Sequence, residues 1–190
     1  MNFSGVTALV AESDTHSVNL LGEILRRFGL DRQIPVDSGS DAKAYLERAV
    51  VEMCFFEASL RDMEGAELVR WVRRSAPEPV RFVPIIVLTS YSQFDAVVAA
   101  RDAGANFVVC KPISPQILYD RLTWSAQGTR RFIEADNYVG PDRRFRQLGP
   151  PDGLGRRSTD LSQEVGEQST PNMSQDEIDA LMRPTKLVNV

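Results

Sequence analysis

The first 124 residues predict an α/β fold, (βα)5, in which five strands alternate with five helices around a parallel sheet. Two observations carry this prediction. Short runs of β-branched or aromatic residues recur along the segment, and stretches with helical spacing separate them. The simplest fold for this alternation is a doubly wound sheet with helices on both faces. In such sheets the functional side chains lie beyond the carboxyl ends of the strands.

Local signals delimit each element. The strand runs are residues 7–10, 33–36, 53–56, 85–88 and 107–110. The helical stretches are residues 18–28, 40–49, 67–74, 94–103 and 114–124. Gly29 and Gly104 directly follow two of these helices, where a left-handed cap favours glycine. Pro35 indicates that the second strand lies at a sheet edge.

Composition excludes several classes of protein. The 190 residues carry 22 Lys and Arg against 26 Asp and Glu, a net charge of −4, which excludes a generally basic nucleic-acid coat or a polybasic membrane anchor. The longest apolar stretch, residues 82–88, is far shorter than the roughly 20 residues of a membrane-spanning helix. The N-terminus lacks the basic region of a secretion signal, so we expect a soluble, cytoplasmic protein without membrane insertion.

The pattern of strands and helices stops after Trp124. Residues 140–155 contain seven Gly or Pro, and large apolar residues become sparse. Such a segment gains too little from burial to offset its ordering entropy, so we predict that residues 125–190 are largely disordered when free. We divide them into an arginine-rich segment, residues 125–160, and an acidic tail, residues 161–190.

Ordered landmarks in residues 1–124 resemble the receiver domain of two-component response regulators, the CheY-like group. These landmarks are Glu12-Ser13-Asp14, residues 60–65, residues 84–90, residues 103–105 and Lys111-Pro112. The resemblance implies a flavodoxin-like sheet of strand order 2-1-3-4-5 and a cis Lys111–Pro112 peptide. It also implies a phosphoacceptor site, in which adjacent carboxylates and a strand-three Asp bind Mg²⁺ and the Asp takes a phosphoryl group.

This sequence departs from the family pattern at the phosphoacceptor site. The acidic pair is Glu12 and Ser13, and Glu57 stands at the nucleophile position, whereas Thr89 and Lys111 match the residues that bind phosphoryl oxygens. The extra methylene of Glu57 displaces its carboxylate by roughly a bond length, enough to misalign in-line attack. We therefore expect a phosphorylation-impaired, non-enzymatic receiver with no tightly bound cofactor and no Mg²⁺.

Two interpretations of the altered site stay open. Glu57 reaches toward Lys111 and mimics the phosphorylated state, or these residues are a relic that only solvates the sheet edge. The alternative function is a phospho-accepting single-domain response regulator, in which Asp14 would replace the missing metal ligand.

The arginine-rich segment carries donors that suit a guanine dinucleotide. The candidate ligand-binding residues are Tyr138, Asp142, Arg143, Arg144, Arg146, Arg156, Arg157 and Asp160. The arginine fork binds phosphate or a guanine edge bidentately, and Tyr138 can stack on a base. The segment resembles the extension of CheY-like proteins that bind cyclic di-GMP, which implies cyclic di-GMP as a regulatory ligand. A solvated basic linker is one alternative. Loose nucleic-acid binding is another, but the interspersed acidic residues disfavour it.

Residues 173–182 predict a short amphipathic helix. Ser174 and Glu177 form a capping box, and the apolar stripe consists of Ile178, Leu181 and Met182. A helix this short is marginal alone, so we predict that it orders only in a partner's groove. The peptide resembles the N-terminal peptide of the flagellar switch protein FliM. This resemblance implies docking near Val97, Val108 and Arg121, on its own receiver or on another one. An ordinary frayed chain end is the alternative.

Together these features predict a non-enzymatic signalling adaptor. Its receiver would tune flagellar or chemotactic output under the control of cyclic di-GMP, with the flagellar switch, another receiver or a kinase as its protein partner. A plain interaction scaffold that uses neither phosphate nor dinucleotide is a third reading.

Overall fold

The computed structural model describes residues 3–90, 93–127, 131–142 and 172–182. The main sheet consists of β1 (Thr7–Ala11), β2 (Arg32–Val36), β3 (Met53–Glu57), β4 (Ile85–Thr89) and β5 (Phe107–Cys110). The helices around it are α1 (Thr15–Arg27), α2 (Gly39–Leu46), α3 (Gly65–Ser75), α4 (Phe94–Ala103) and α5 (Pro115–Ala126). A short 3-10 helix, Val80–Phe82, precedes β4.

All five strands are parallel, and their order β2-β1-β3-β4-β5 confirms the predicted fold. The sheet separates two hydrophobic cores. Leu25 and Leu118 pack on one face with α1 and α5, and Leu68 and Val97 pack on the other face with α2, α3 and α4. Both faces of β3 and β4 are therefore buried, which explains why their sequences are continuous apolar runs.

The predicted helix ends agree with the structure to within a few residues. The backbone is left-handed at Gly29, with φ 85°, and at Gly104, with φ 105°, as the glycine caps require. The Lys111–Pro112 peptide is cis. In the part of the chain described here, no helix combines the length and the apolar character needed to cross a membrane.

A β-hairpin follows the sheet domain within the segment predicted to be disordered. Its strands β6 (Phe132–Ala135) and β7 (Tyr138–Pro141) pair antiparallel across a two-residue turn. The ring of Phe132 packs edge-on against Phe82 at 4.8 Å between centroids, and β7 contacts α3 and α4. The prediction of disorder is therefore wrong for residues 131–142, because the hairpin buries apolar surface against the sheet domain.

A glycine on the sheet domain allows the hairpin to approach closely, and two arginine side chains hold it there. A Cβ atom on Gly104 would lie 2.4 Å from the carbonyl oxygen of Val139, so only glycine permits this approach. Arg81 Nη2 forms an ion pair of 2.6 Å with Glu134 Oε1, and Arg74 Nη2 donates to the carbonyl of Asp136 at 3.1 Å.

Arg73 is the largest fully buried side chain of the described residues, and no sequence pattern predicts this role. Its guanidinium lies over the ring of Phe132. It donates hydrogen bonds to the carbonyl oxygens of Gly104 (3.0 Å), Arg81 (2.7 Å) and Val83 (2.8 Å) and to Oδ1 of Asn106 (2.8 Å). Burial lowers the pKa of Arg73 to about 10, so the group stays charged at neutral pH. Arg73 thus joins α3, the loop before β4, the loop before β5 and the hairpin.

The Arg73→Lys variant should lose about 2–4 kcal/mol of unfolding free energy, because lysine keeps the charge but cannot reach all four acceptors. Urea unfolding followed by circular dichroism measures the loss. Arg70→Lys, on the exposed face of the same helix, is the matched control and should change stability by less than about 0.5 kcal/mol. Equal stability of the two variants would show that the four-way contact is not needed for folding.

Candidate functional site

The carboxyl ends of four strands bring the predicted phosphoacceptor residues together. Glu12 directly follows β1, Glu57 and Thr89 end β3 and β4, and Lys111 directly follows β5. Parallel strands point their carboxyl ends toward one edge, so residues up to 99 positions apart in the chain meet there. Glu12, Glu57 and Thr89 are buried, and Lys111 is half-buried.

The Lys111 ammonium lies between the two glutamates. Its Nζ is 2.5 Å from Oε2 of Glu12 and also forms an ion pair with Oε2 of Glu57. Oε1 of Glu12 accepts a hydrogen bond of 2.9 Å from the backbone N–H of Asp14. We call these three residues, Glu12, Glu57 and Lys111, the lysine cluster.

The lysine cluster contains two carboxyl groups but only one basic group to neutralise them. Burial, with the hydrogen bond and negative charge of Glu12, raises the pKa of Glu57 from its ordinary 4.5 to about 7, although Lys111 opposes the shift. Burial also disfavours the ionised form of Glu12, but hydrogen bonds from Glu57, Lys111 and Asp14 outweigh it and lower the pKa of Glu12. Below neutral pH, Glu57 therefore retains a proton while Glu12 and Lys111 are charged.

These donors do not fit an octahedral Mg²⁺ ion. The ammonium of Lys111 already occupies the space between the two carboxylates, and Ser13 stands where the family pattern has the second carboxylate of the acidic pair. Asp14, the candidate replacement ligand, is instead the N-cap of α1, where its Oδ2 accepts from the N–H of Ser17 at 2.8 Å. Within the described residues no group of three or more His, Cys, Asp or Glu side chains could hold a metal ion.

Two contacts that sequence reasoning missed hold the loop after β3, one beside Glu57 of the cluster and one at the start of α2. A Cβ atom on Gly65 would lie 2.3 Å from the carbonyl oxygen of Glu57, so glycine lets the start of α3 approach the strand end. Asp62 accepts from the N–H groups of Gly39 (2.8 Å) and Ser40 (2.9 Å) and from the Ser40 hydroxyl (2.6 Å). The Ser40 hydroxyl and these amides hold the pKa of Asp62 at about 2.

The predicted C-terminal peptide forms helix α6 (Gln175–Met182), which lies on the sheet domain of its own chain. Ile178 and Met182 are buried, and Leu181 is partly buried against the same core. The core around α6 includes Val97 and Val108, and the buried Arg121 forms an ion pair with Asp179. The structure thus brings together all six residues predicted to take part in docking. Ser174 and Glu177 form the predicted capping box, with the Ser174 N–H donating to Glu177 at 2.7 Å.

The arginine-rich segment is only partly described. Tyr138 lies in β7 and its hydroxyl donates to the carbonyl of Pro141 at 2.8 Å. The N–H of Asp142 donates to the carbonyl of Arg131 at 2.6 Å, which closes the base of the hairpin. The remaining predicted ligand-binding residues, Arg143, Arg144, Arg146, Arg156, Arg157 and Asp160, lie outside the described residues.

Residues 8–123 match the family model of the response regulator receiver domain. The chain belongs to this family. The matched residues contain the whole lysine cluster.

Several known receivers are similar to this one. The chemotaxis protein CheY of Pseudomonas aeruginosa is 25% identical over 114 residues, which cover 60% of this chain and 90% of that protein. The chemotaxis protein CheY1 of Helicobacter pylori is 27% identical over 115 residues, 60% of this chain and 91% of that protein.

Solved structures show the same receiver architecture. The receiver domain of a sensor histidine kinase from Pseudomonas aeruginosa is 25% identical with a TM-score of 0.59, covering 65% of this chain and 99% of that one. That structure has a magnesium ion coordinated in its active-site cleft. A CheY-like receiver protein from Methanospirillum hungatei has a TM-score of 0.58 at 23% identity, over 65% of this chain and 94% of that one.

As the pH rises from 5 to 8, the wild type should lose unfolding free energy relative to the Glu57→Gln variant. The folded pKa of Glu57, about 7, lies above its ordinary 4.5. Its proton therefore contributes stability that is fully present below the unfolded pKa and is lost as pH rises through the folded pKa. We expect a relative loss of about 2–3 kcal/mol.

Chemical denaturation at several pH values measures this difference, and the exposed Glu23→Gln serves as the matched control. Glu23→Gln should follow the wild type at every pH. Parallel pH profiles for the wild type and Glu57→Gln would contradict the protonated cluster.

Proposed function

We propose that this chain is a signalling adaptor whose receiver acts without taking a phosphoryl group. The observation that supports the proposal is the lysine cluster. Lys111 is the residue that the family uses to bind the phosphoryl group, and here it is paired with two carboxylates of its own chain. Lys111 is therefore already paired with carboxyl groups of its own chain, where the family pattern pairs it with a phosphoryl group.

The chemistry of Glu57 also supports the proposal. Its longer side chain places the carboxylate farther from the strand than an Asp would, and misplacement by about 1 Å costs roughly 100-fold in rate. Because burial raises its pKa to about 7, much of Glu57 is protonated near neutral pH, and a protonated carboxyl is a poor nucleophile.

The alternative is a phospho-accepting response regulator. Thr89 and Lys111 stand at the strand ends where the family pattern places them, and a similar receiver coordinates magnesium in its cleft. On this alternative, Mg²⁺ and a phosphodonor would displace Lys111 from Glu12 and Glu57.

Beryllofluoride with Mg²⁺ should leave the amide spectrum around Glu57 and Thr89 unchanged. We expect the double variant Ser13→Asp, Glu57→Asp to regain a response, because it restores two short carboxylates beside Glu12. Two-dimensional NMR of both proteins under the same conditions makes the comparison. A saturable, Mg²⁺-dependent shift in the wild type would favour the phospho-accepting alternative instead.

We further propose that the arginine-rich segment, residues 125–160, binds cyclic di-GMP as a regulatory ligand. The planar forks of its arginines suit guanine edges and phosphates. The hairpin at the start of the segment supports this proposal, because its contacts with Arg74 and Arg81 hold Tyr138 and Asp142 on the surface of the receiver. A ligand bound there would lie against α3 and α4 rather than on a free chain.

Cyclic di-GMP should bind with micromolar affinity, and Arg143→Ala or Arg156→Ala should weaken binding at least several-fold. Arg→Lys at either position should not restore it, because lysine has no planar fork. Isothermal titration calorimetry measures the affinities, with GTP and single-stranded DNA as control ligands. Comparable affinity for the controls, with steep salt dependence, would indicate a generic polyanion site.

The acidic tail, residues 161–190, is proposed to carry the protein-contact function. The curated relatives named above are chemotaxis proteins, and α6 resembles the peptide of a flagellar switch protein. We therefore propose flagellar or chemotactic output in the cytoplasm, through the flagellar switch, another receiver or a kinase. The α6 peptide would dock on the surface formed by Val97, Val108 and Arg121, either on its own receiver or on another one.

A further inference from the structure

The outer edge of β5 is covered by a side chain of α6. β5 is the last strand of the sheet, so the sheet leaves one row of its backbone groups without a strand partner. The Gln175 carboxamide pairs with two of these groups. Its Oε1 accepts from the N–H of Cys110 at 2.8 Å, and its Nε2 donates to the carbonyl of Val108 at 2.9 Å. One glutamine side chain thus substitutes for a peptide group of a sixth strand.

A charge pair fixes the helix beside this edge. Asp179 forms an ion pair with Arg121, and both side chains are almost wholly buried. The Arg121 guanidinium lies over the ring of Trp124, at 4.8 Å from its centroid, so it is oriented before the aspartate meets it. Nε2 of Gln175 also donates to Oδ1 of Asp179 at 3.0 Å, which connects the edge contact to the charge pair.

Apolar contacts complete the groove. Ile178 is fully buried and Met182 is 5% exposed, and both belong to the core that contains Val97 and Val108. The groove therefore selects a helix with Gln, Ile, Asp and Met at positions 1, 4, 5 and 8. Asp176, in contrast, is exposed on the same helix.

We propose that α6 is a self-masking ligand: it occupies the β5-edge groove of its own receiver and must leave before a partner helix of the same chemistry can bind. The inference rests on the proposed partner-contact function of this surface. Twenty-nine residues connect Asp142 to Asn172. At up to ~3.3 Å per residue, a connection of this length allows α6 to leave the groove without unfolding the receiver. A tethered ligand acts at an effective concentration of roughly millimolar order, so it competes strongly with a free helix.

A peptide-binding experiment tests the mask directly. A fluorescently labelled peptide with the sequence of residues 172–182 is titrated with the full chain and with two full-chain variants. Asp179→Arg opposes Arg121 and should release α6, whereas Asp176→Arg makes the same charge change at an exposed position of the same helix. We expect Asp179→Arg to bind the peptide about 10- to 100-fold more tightly than the wild type or Asp176→Arg. A labelled peptide that itself carries Asp179→Arg should bind to none of the three chains.

Amide hydrogen exchange at Cys110 provides a second readout. Its N–H should be protected in the wild type and in Asp176→Arg, and should exchange faster in Asp179→Arg. Equal peptide affinities for all three chains, or absence of binding to Asp179→Arg, would overturn the proposal. Light scattering could instead show that the wild type is a dimer, with α6 leaving the groove more readily on dilution. This result would overturn the intramolecular form of the proposal and show that α6 is exchanged between two copies of the chain.

The assay uses neither a phosphodonor nor a dinucleotide, so its result does not depend on those two proposals. An Asp179→Arg chain that binds the peptide but none of the proposed protein partners would overturn the partner proposal and leave the mask intact.

Discussion

We propose that the position of the Lys111 ammonium between Glu12 and Glu57 determines what this receiver can bind. Glu57 ends β3, and Glu12 and Lys111 directly follow β1 and β5, so the parallel sheet brings the three residues together. Two buried carboxylates repel each other, so the cluster needs both the lysine and a retained proton. We propose that this arrangement takes the place of Mg²⁺ and phosphoryl-group binding in a receiver of the usual pattern.

The strand that supplies Lys111 also supplies the surface for α6. Cys110, whose N–H is held by Gln175, directly precedes Lys111 in the chain. The lysine cluster and the C-terminal helix therefore act on adjacent residues of one edge strand. The phosphoacceptor position and the surface proposed for partner contact are both occupied by the chain's own side chains, and we propose an adaptor controlled by release rather than by phosphorylation.

Much of the fold could be predicted because its signals are local. Buried parallel strands appear as apolar runs, and Gly29 and Gly104 mark helix ends, so the element order and the sheet order followed from the sequence and the family resemblance. The residues at the strand ends could be predicted as well, because parallel topology places them at one edge. The direction of the Lys111 side chain toward Glu57 was one of two interpretations, and the contact itself required the structure.

Other features depend on contacts between distant segments and have no local signature. The hairpin was missed because it forms against Gly104, Arg74 and Arg81, which lie far from it in sequence. In the sequence, Arg73 looks like an ordinary arginine on the surface of a helix, but its side chain is buried where α3 meets three other segments. The capping box and apolar stripe of α6 could be predicted, but the pairing of Gln175 with the β5 edge could not. The ligand of the arginine-rich segment stays a prediction.

Paramagnetic broadening by Mn²⁺ tests most directly whether the lysine cluster replaces the metal site. Mn²⁺ prefers the same oxygen ligands as Mg²⁺ and broadens the amide signals of residues near its binding site. In the wild-type chain at neutral pH, the amides of Ser13, Ala58 and Ser90 should keep their intensity as Mn²⁺ is added at low micromolar concentration. Selective, saturable loss of these signals, reversed by excess Mg²⁺, would show that a divalent ion displaces Lys111 and would contradict the account.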